Sequence, residues 1–309
     1  MRKPSEVKIG EYTLEEILVR HSHWLNKDCD GWEIMRANLN NTNLCYVDLS
    51  NADLSIADLC YAKMSYANLC NAKLSGVNLS GTNLYNADLC YANLHDTVLC
   101  NADLCYAKLN NAELCDANLR DVNLRNADLT NANLCDANLR DVNLRDANLC
   151  NANLCGANLR NVNLSNANLR NVDLDNVDLY NADLRSVDLN ETKNIPYIPL
   201  ACPSEGSFTA WKKVKRYLIK LEIPESAKRS SATSQKCRAS EAKVLGIYTL
   251  DGEKTDLKNI VNRYQDSVIN YIVGETVYPD SFDENRWDEC SHGIHFFINK
   301  QDAINYIYY

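Results

Sequence analysis

The residue types richest in chemistry gather near the end of the chain. Arg286, Trp287, Asp288, Glu289, Cys290, His292 and His295 bring a thiol, two imidazoles and two carboxylates into one short stretch, the types that an activated nucleophile requires. Proximity along a chain is not geometry, and His295 stands inside the apolar run GIHFFI, where a core histidine with its polar atoms satisfied is the plainer reading. No catalytic residue and no cofactor are assigned, and a non-enzymatic protein is expected. Lys228, Arg229, Ser230, Ser231 and Thr233 have the types that hold an anion, but no glycine-rich loop leads into a helix there. His21 and His23 lack a Cys or carboxylate at helical ligand spacing, so they read as cap or surface residues and no metal site is assigned.

Ten of the fourteen cysteines share one setting, directly after a leucine: Cys45, Cys60, Cys70, Cys90, Cys100, Cys105, Cys115, Cys135, Cys150 and Cys155. That setting belongs to a five-residue word repeated from Ala37 to Asn190. Its centre runs from Leu39 to Leu189 through thirty-one positions, thirty Leu and one Met, Met64. Two residues earlier stands Ala, Val or Thr in every word, and the residue just before the centre is Asn or Asp in twenty-six of them.

A period of five fixes the shape. On an α-helix each step of five turns by about 140°, which scatters the leucines round every side. In a straight strand an odd period sends successive leucines to opposite faces. Only a chain that turns once per word keeps both apolar positions inside, with the polar residues at the corners. Asn and Asp suit such corners because their short side chains bond nearby backbone and tolerate strained dihedrals. Residues 111–130 match residues 131–150 at sixteen of twenty places, so four words make one coil and each coil rests on its neighbours.

Unbroken A(D/N)LXX words resemble the pentapeptide-repeat family. The resemblance implies a right-handed quadrilateral β-helix with Leu and Ala inward and three outward positions per word. Nearly eight coils at about 4.8 Å each give a rod of roughly 37 Å. It also implies DNA mimicry, in which an acidic rod occupies the DNA site of a type II topoisomerase. Residues 36–190 carry eighteen acidic and eleven basic groups, about one net charge per 5 Å of that length, against one per about 1.7 Å in duplex DNA. The better mimic is the far end, with Asp173, Asp175, Asp178, Asp183 and Asp188.

The twenty-residue circuit sorts outward residues into columns. Cys115, Cys135 and Cys155 form one; ladder neighbours hold their Cβ bonds side by side, so these read as free thiols rather than bridges, and a line of thiols does not supply tetrahedral zinc ligation. Arg120, Arg140 and Arg160 form another, beside Asp116 with Asp136 and Asp121 with Asp141. Tyr46, Tyr66 and Tyr106 share a third, interrupted by Asn86, and form a candidate contact patch because Tyr is favoured at interfaces.

Three domains are expected: an N-terminal helical cap over 1–35, the β-helix over 36–190, and a small α+β domain over 191–309. In the first, Thr13 and Glu16 have capping-box spacing, and Leu14, Ile17, Leu18, His21 and Leu25 share a helical face that covers the open edge of the first coil. After Asn190 the words stop, and Pro196, Pro199 and Pro203 mark a boundary. The tail's halves, 191–243 and 244–309, carry plus six and minus six, so they are expected to fold on each other. WKKVKRYLIKLEIP reads as a strand with Tyr217, Ile219, Leu221 and Ile223 on one face, and AKVLGIYTLDG as a second ending at the Asp251-Gly252 turn. Leu257, Ile260, Val261 and Tyr264 predict a short helix, and GIHFFI a strand leading into a terminal helix. The phrases CPSEGSFTAWKKV, IPESAKRSSATSQKCRASEAKVL and FDENRWDECSHGIHFFINKQDAINY resemble a domain of unknown function that follows such repeats in phage and bacterial proteins.

Residues 1–10 lack a signal-peptide core, and no apolar run approaches a membrane span; a soluble, cytoplasmic protein without membrane contact is expected. The favoured reading is a rigid scaffold that presents its C-terminal module to a protein partner, in a phage setting, without direct nucleic-acid binding and with homodimerisation open. Partner choice is expected in the tail, where Trp287 and His295 are the candidate contacts, because repeated outward positions offer little that is unique. The alternatives are a DNA mimic and an enzyme housed in residues 201–309.

Overall fold

A computed structural model describes residues 1–196, 200–264, 267–286 and 291–306. The chain forms two compact units, Met1–Pro196 and Tyr197–Tyr309.

In the first unit the chain turns once per word. The leucine carbonyl accepts the amide of the residue three places on, as from Ala52 to Leu49 at 3.0 Å and from Ala57 to Leu54 at 2.9 Å. The residue two after each leucine takes a left-handed conformation, with φ between +54° and +70° at every word from Asn41 to Glu191, the third position of a type II turn. Asn, Asp and Gly fill most of these corners because they accept that conformation at least cost.

Successive coils pair in parallel at a spacing of twenty residues, as in Asn118 with Asn138 and Asn138 with Asn158. Leu119 donates to the Asn138 carbonyl at 2.9 Å, which continues the backbone ladder up the rod. The Asn or Asp before each leucine has a job separate from the corner. Its side-chain oxygen accepts the amide two residues on, as Asp128 does from Thr130 at 3.1 Å and Asn153 from Cys155 at 3.1 Å. The amides then link coils: Asn153 Nδ2 reaches Asn133 at 3.0 Å and Asn168 Nδ2 reaches Asn148 at 2.9 Å.

Leucines fill the interior; Leu119, Leu124 and Leu129 are at most 1% exposed. Where Thr replaces Ala in the inner position, its hydroxyl is satisfied by a carbonyl, Thr82 by Leu59 at 2.9 Å and Thr97 by Leu74 at 3.1 Å. That meets the requirement that a buried polar group find a partner.

At the N-terminus two short strands, β1 (Lys8–Ile9) and β2 (Tyr12–Thr13), precede helix α1 (Leu14–Asn26). The capping box forms: Glu16 donates its amide to Thr13 Oγ1 at 3.2 Å, and Thr13 returns one to the Glu16 carboxylate at 2.7 Å. His21 is fully buried and ties the helix to the first coils. Its Nδ1 accepts the Ala37 amide at 3.1 Å, so Nε2 carries the proton donated to the Ser55 carbonyl at 3.0 Å. Burial holds its pKa below the ordinary histidine value.

Among the described residues the second unit is a β structure with one short helix. Strands β3 (Phe208–Val214), β4 (Tyr217–Ile223) and β7 (Ala242–Thr249) pair antiparallel, with β10 (Thr276–Val277) beyond β7. A three-stranded sheet takes β5 (Arg229–Ser231), β6 (Cys237–Ala239) and β11 (Ile294–Phe296) in the order β11-β6-β5, and β8 (Asn259–Tyr264) pairs with β9 (Ser267–Ile272). Helix α2 (Lys300–Asn305) follows β11, N-capped by Asn299.

Two expectations need correction. WKKVKRYLIKLEIP is a hairpin rather than one strand, because Lys215 turns left-handed at φ 54° between β3 and β4. The helix expected around Leu257 to Tyr264 is strand β8: its Ile and Val are β-branched, and pairing with Val268 and Ile269 satisfies the backbone that a lone short helix would leave exposed. The tail's two halves meet through strand pairing, β4 with β7 and β6 with β11. Lys228 with Glu284 is an ion pair between them.

Candidate functional site

The tyrosine column is continuous, and a residue outside it makes it so. Tyr46 and Tyr66 stack with ring centroids 4.9 Å apart and planes 4° from parallel. Asn86 occupies the next corner, but Tyr85 beside it meets Tyr66 and Tyr106 edge to face, each at 5.7 Å. Four rings therefore line one corner of the rod, with Tyr46 54% and Tyr106 48% exposed. Tyr61 and Tyr91 stand exposed on the two flanking corners, and Ile56 on the opposite one.

These bulky residues sit where the backbone disfavours them. Of the fourteen corners from 41 to 106, six carry Tyr or Ile (Tyr46, Ile56, Tyr61, Tyr66, Tyr91, Tyr106), whereas all fifteen from 111 to 181 carry Asn, Asp or Gly. An L-residue in this conformation costs about 1–2 kcal/mol. Accommodation is local: the Tyr61 ring covers Gly81, where an added Cβ would lie 2.4 Å from a ring carbon. Sequence reasoning missed Tyr85, Tyr61, Tyr91 and Ile56; departure from Asn, Asp or Gly two places after the leucine was the available signal for the last three.

The acidic end is more engaged than its composition suggests. Asp178 pairs with Arg160 at 3.2 Å, and Asp183 takes Arg185 through both oxygens, Nε lying 2.8 and 3.0 Å away. Asp173 accepts the Asp175 amide at 3.0 Å and the Asn194 side chain at 2.8 Å; Asp188 accepts the Asn190 amide at 3.0 Å. Four of the five are turn-forming residues of the slot before leucine, and Asp175 lies after its leucine, exposed. Upstream, Arg120 pairs with Asp121 at 3.2 Å and Arg140 with Asp141 at 3.1 Å, exposed contacts that stabilise little.

The rod cysteines are free. Cys90 donates to Asn110 Oδ1 at 2.7 Å, and burial with Asp88 pushes its pKa up to about 12. A bond to the Asp136 carboxylate pushes Cys135 up to about 11. Both remain protonated at neutral pH, the form that neither attacks nor ligates. His95 lies near two carboxylates, but Nε2 faces Asp96 at 3.2 Å and Nδ1 faces Asp116 at 3.8 Å. One ion cannot take both nitrogens of a ring.

In the second unit Trp287, Asp288, Glu289 and Cys290 lie outside the described residues. His292 is exposed, while His295 pairs with Arg238 across β11 and β6 and bonds the Ser291 carbonyl through Nε2 at 2.9 Å. Burial and the charges of Lys236 and Lys212 hold His295 well below the ordinary imidazole range. Arg286 reaches the Ser231 carbonyl at 3.1 Å. The residues considered for an anion are turned to internal contacts: Arg229 bonds the Pro203 and Pro224 carbonyls at 3.0 and 2.9 Å, and Ser231 Oγ accepts the Ala201 amide at 2.8 Å. Lys212 is buried with its ammonium 3.2 Å from the His295 carbonyl, and burial beside Lys236 lowers its pKa to about 7.

The sequence model of pentapeptide repeats (8 copies) matches residues 36–57, 52–89, 82–121, 117–156 and 152–191, half of the chain in all. The chain belongs to the pentapeptide-repeat family. A second model, described as a family of unknown function (DUF5758), matches residues 198–303 of this pentapeptide-repeat protein. No curated protein sequence matches it. Among solved structures, it is similar to HetL, a pentapeptide repeat protein involved in heterocyst differentiation regulation from the cyanobacterium Nostoc sp. strain PCC 7120. Identity is 32%, covering 50% of this chain and 75% of that one, with a TM-score of 0.31. Full-length QnrB1, a plasmid-mediated fluoroquinolone resistance protein, is 18% identical over 51% of this chain and 91% of its own, with a TM-score of 0.31. A pentapeptide repeat protein from the Arabidopsis thaliana thylakoid lumen is 27% identical over 36% and 70%, with a TM-score of 0.16. Among the described residues no helix is long and apolar enough to cross a membrane.

Proposed function

We propose that this pentapeptide-repeat protein is a non-enzymatic binding protein whose rod docks a protein partner through the tyrosine corner and carries the C-terminal unit as its module. One observation supports this most: exposed aromatic rings stand at corners where backbone strain favours Asn or Gly, and only in the first half of the rod. Strain retained at an exposed position points to a role beyond folding, and clustered Tyr is what interfaces enrich. The test is affinity capture from the native cell with full-length protein. Partners retained by wild type and by the Asp173→Asn/Asp188→Asn variant, but lost from Tyr66→Asn/Tyr106→Asn, would support it. Equal retention by all three would sink it.

The DNA-mimic reading is weakened by the arginines that pair with Asp178 and Asp183. It makes its own prediction, inhibition of DNA supercoiling by purified gyrase, and an unchanged supercoiling rate at high protein excess removes it. Homodimerisation through the tyrosine corner would appear in sedimentation as a dimer lost in Tyr66→Asn.

A further inference from the structure

The loop that leaves helix α1 brings together donors that are far apart on a helical repeat. Lys27 takes a left-handed conformation (φ 53°, ψ 40°) directly after the helix and bonds its amide to the His23 carbonyl at 2.8 Å. The chain therefore doubles back, and Asp28 and Cys29 return against the last helical turn. His23 Nδ1 lies 2.6 Å from Asp28 Oδ1, and the ligand atoms of His23, Asp28 and Cys29 all lie within 4.8 Å of one another. Gly31, left-handed at φ 75°, and the 3-10 turn Trp32–Ile34 then bring Met35 Sδ to 3.8 Å from Cys29 Sγ.

We propose that His23, Asp28 and Cys29 form a zinc site with an open fourth position. An imidazole, a carboxylate and a thiolate are the donor types that Zn²⁺ takes, and the two anionic ligands neutralise the ion. The carbonyl end of helix α1 adds negative potential at the same place. In a tetrahedral site with bonds of about 2.0–2.3 Å, ligand atoms sit roughly 3.3–3.8 Å apart. The His23 and Asp28 donors, at 2.6 Å, stand closer than that, so binding requires Asp28 to swing out of its contact with His23. The carboxylate is about half exposed and free to do so. Cys29 loses its proton to solvent as the metal–sulfur bond forms, and the Met35 sulfur packs against it. The bound ion would pin the C-terminal end of the cap helix to the segment entering the first coil. The expectation of no metal site rested on helical spacing, which the reversal at Lys27 bypasses.

The experiment is Zn²⁺ titration of the full-length reduced protein in competition with a chromogenic chelator, with Co²⁺ as a spectroscopic stand-in. Wild type and Cys150→Ala, which removes a rod thiol, are expected to bind one more equivalent than Cys29→Ala or His23→Gln. Only the first pair should show the thiolate-to-cobalt charge-transfer band. Asp28→Asn, which preserves shape, should weaken binding at least tenfold. Equal stoichiometry in wild type, Cys29→Ala and His23→Gln, all with native melting curves, would overturn the site and leave a His23–Asp28 hydrogen bond as the contact's whole meaning.

Discussion

Position 91 tests the corner rule most directly. Tyr91 has φ 58°, is 58% exposed, and lies in a column between Asn71 and Asn111. Tyr91→Ala and Tyr91→Asn remove the same ring, so the loss of its partial burial is common to both. They differ in how readily they adopt the left-handed conformation, which Asn tolerates and Ala does not. The Asn variant should therefore be more stable than the Ala variant by about 1 kcal/mol, or about 2–4 °C in the melting midpoint of a unit this size. Asn111→Ala should lose at least as much, since Asn111 has φ 60° and its Oδ1 also accepts the Asn131 side-chain amide at 3.3 Å. Urea unfolding followed by far-ultraviolet circular dichroism measures both. An Ala variant at either position as stable as its Asn counterpart would refute the claim that corner residues are selected by backbone conformation. The strain argument for the tyrosine corner would go with it.

Three further predictions address the interior and the two ends. Leu124→Ala, at a fully buried position, should cost about 2–5 kcal/mol in urea unfolding; a loss below the lower bound would mean that the coils collapse onto the cavity. His21 is neutral in the fold with a lowered pKa, so its contribution is present above the unfolded value of about 6.5 and lost as pH falls through the folded value. Asp53 and Arg36 are the charges that act on it; the fluorescence of Trp24, whose ring stacks 5.6 Å from His21, should report the cap loosening in acid, and His21→Gln should flatten that transition. Lys212, lowered to about 7 by burial beside Lys236, is depressed from an unfolded value of about 10.4, so the stability of the C-terminal unit should rise as pH increases between those values. Lys212→Met should abolish that slope in thermal melts across the same range.

How much was legible depended on where the information lay. The rod was readable because its period is a property of neighbouring residues: an odd word with two apolar letters has one way to bury both. The cap helix was readable from Thr13 and Glu16 for the same local reason. Tyr85 was not, because its contacts with Tyr66 and Tyr106 cross coils and columns and require the side-chain directions as well as the register. His23 with Cys29 was missed because a left-handed Lys27 is not announced by sequence; Gly or Asn usually holds that place. Leu257, Ile260, Val261 and Tyr264 have helical spacing, and only the pairing of 259–264 with 267–272 decides against it. In the tail the opposite charges predicted association, yet several cations there bond carbonyl oxygens, Lys213 those of Ile304 and Tyr306, Arg238 those of His292 and Asn285.

The two polar slots of the word do different work, and that separation decides where a partner-binding surface can arise. The residue before leucine lies in the ladder itself and, where it is Asn or Asp, is tied to the turn and to the neighbouring coil by its side-chain bonds. The corner residue supplies the left-handed turn, and an Asn there also bonds the corner of the neighbouring coil, as Asn161 does with Asp141 and Asn171 with Asn151, each at 2.8 Å, but only through its exposed side chain. A bulky residue there costs one local strain energy and leaves the ladder intact, as the continuous register through Tyr46, Tyr66 and Tyr106 illustrates. Corners are thus the positions at which such a rod can acquire recognition without losing its fold. Departures from the locally favoured residue are where function is expected to show, and here the bulky ones, Tyr and Ile, fall between positions 46 and 106, in the first half of the rod.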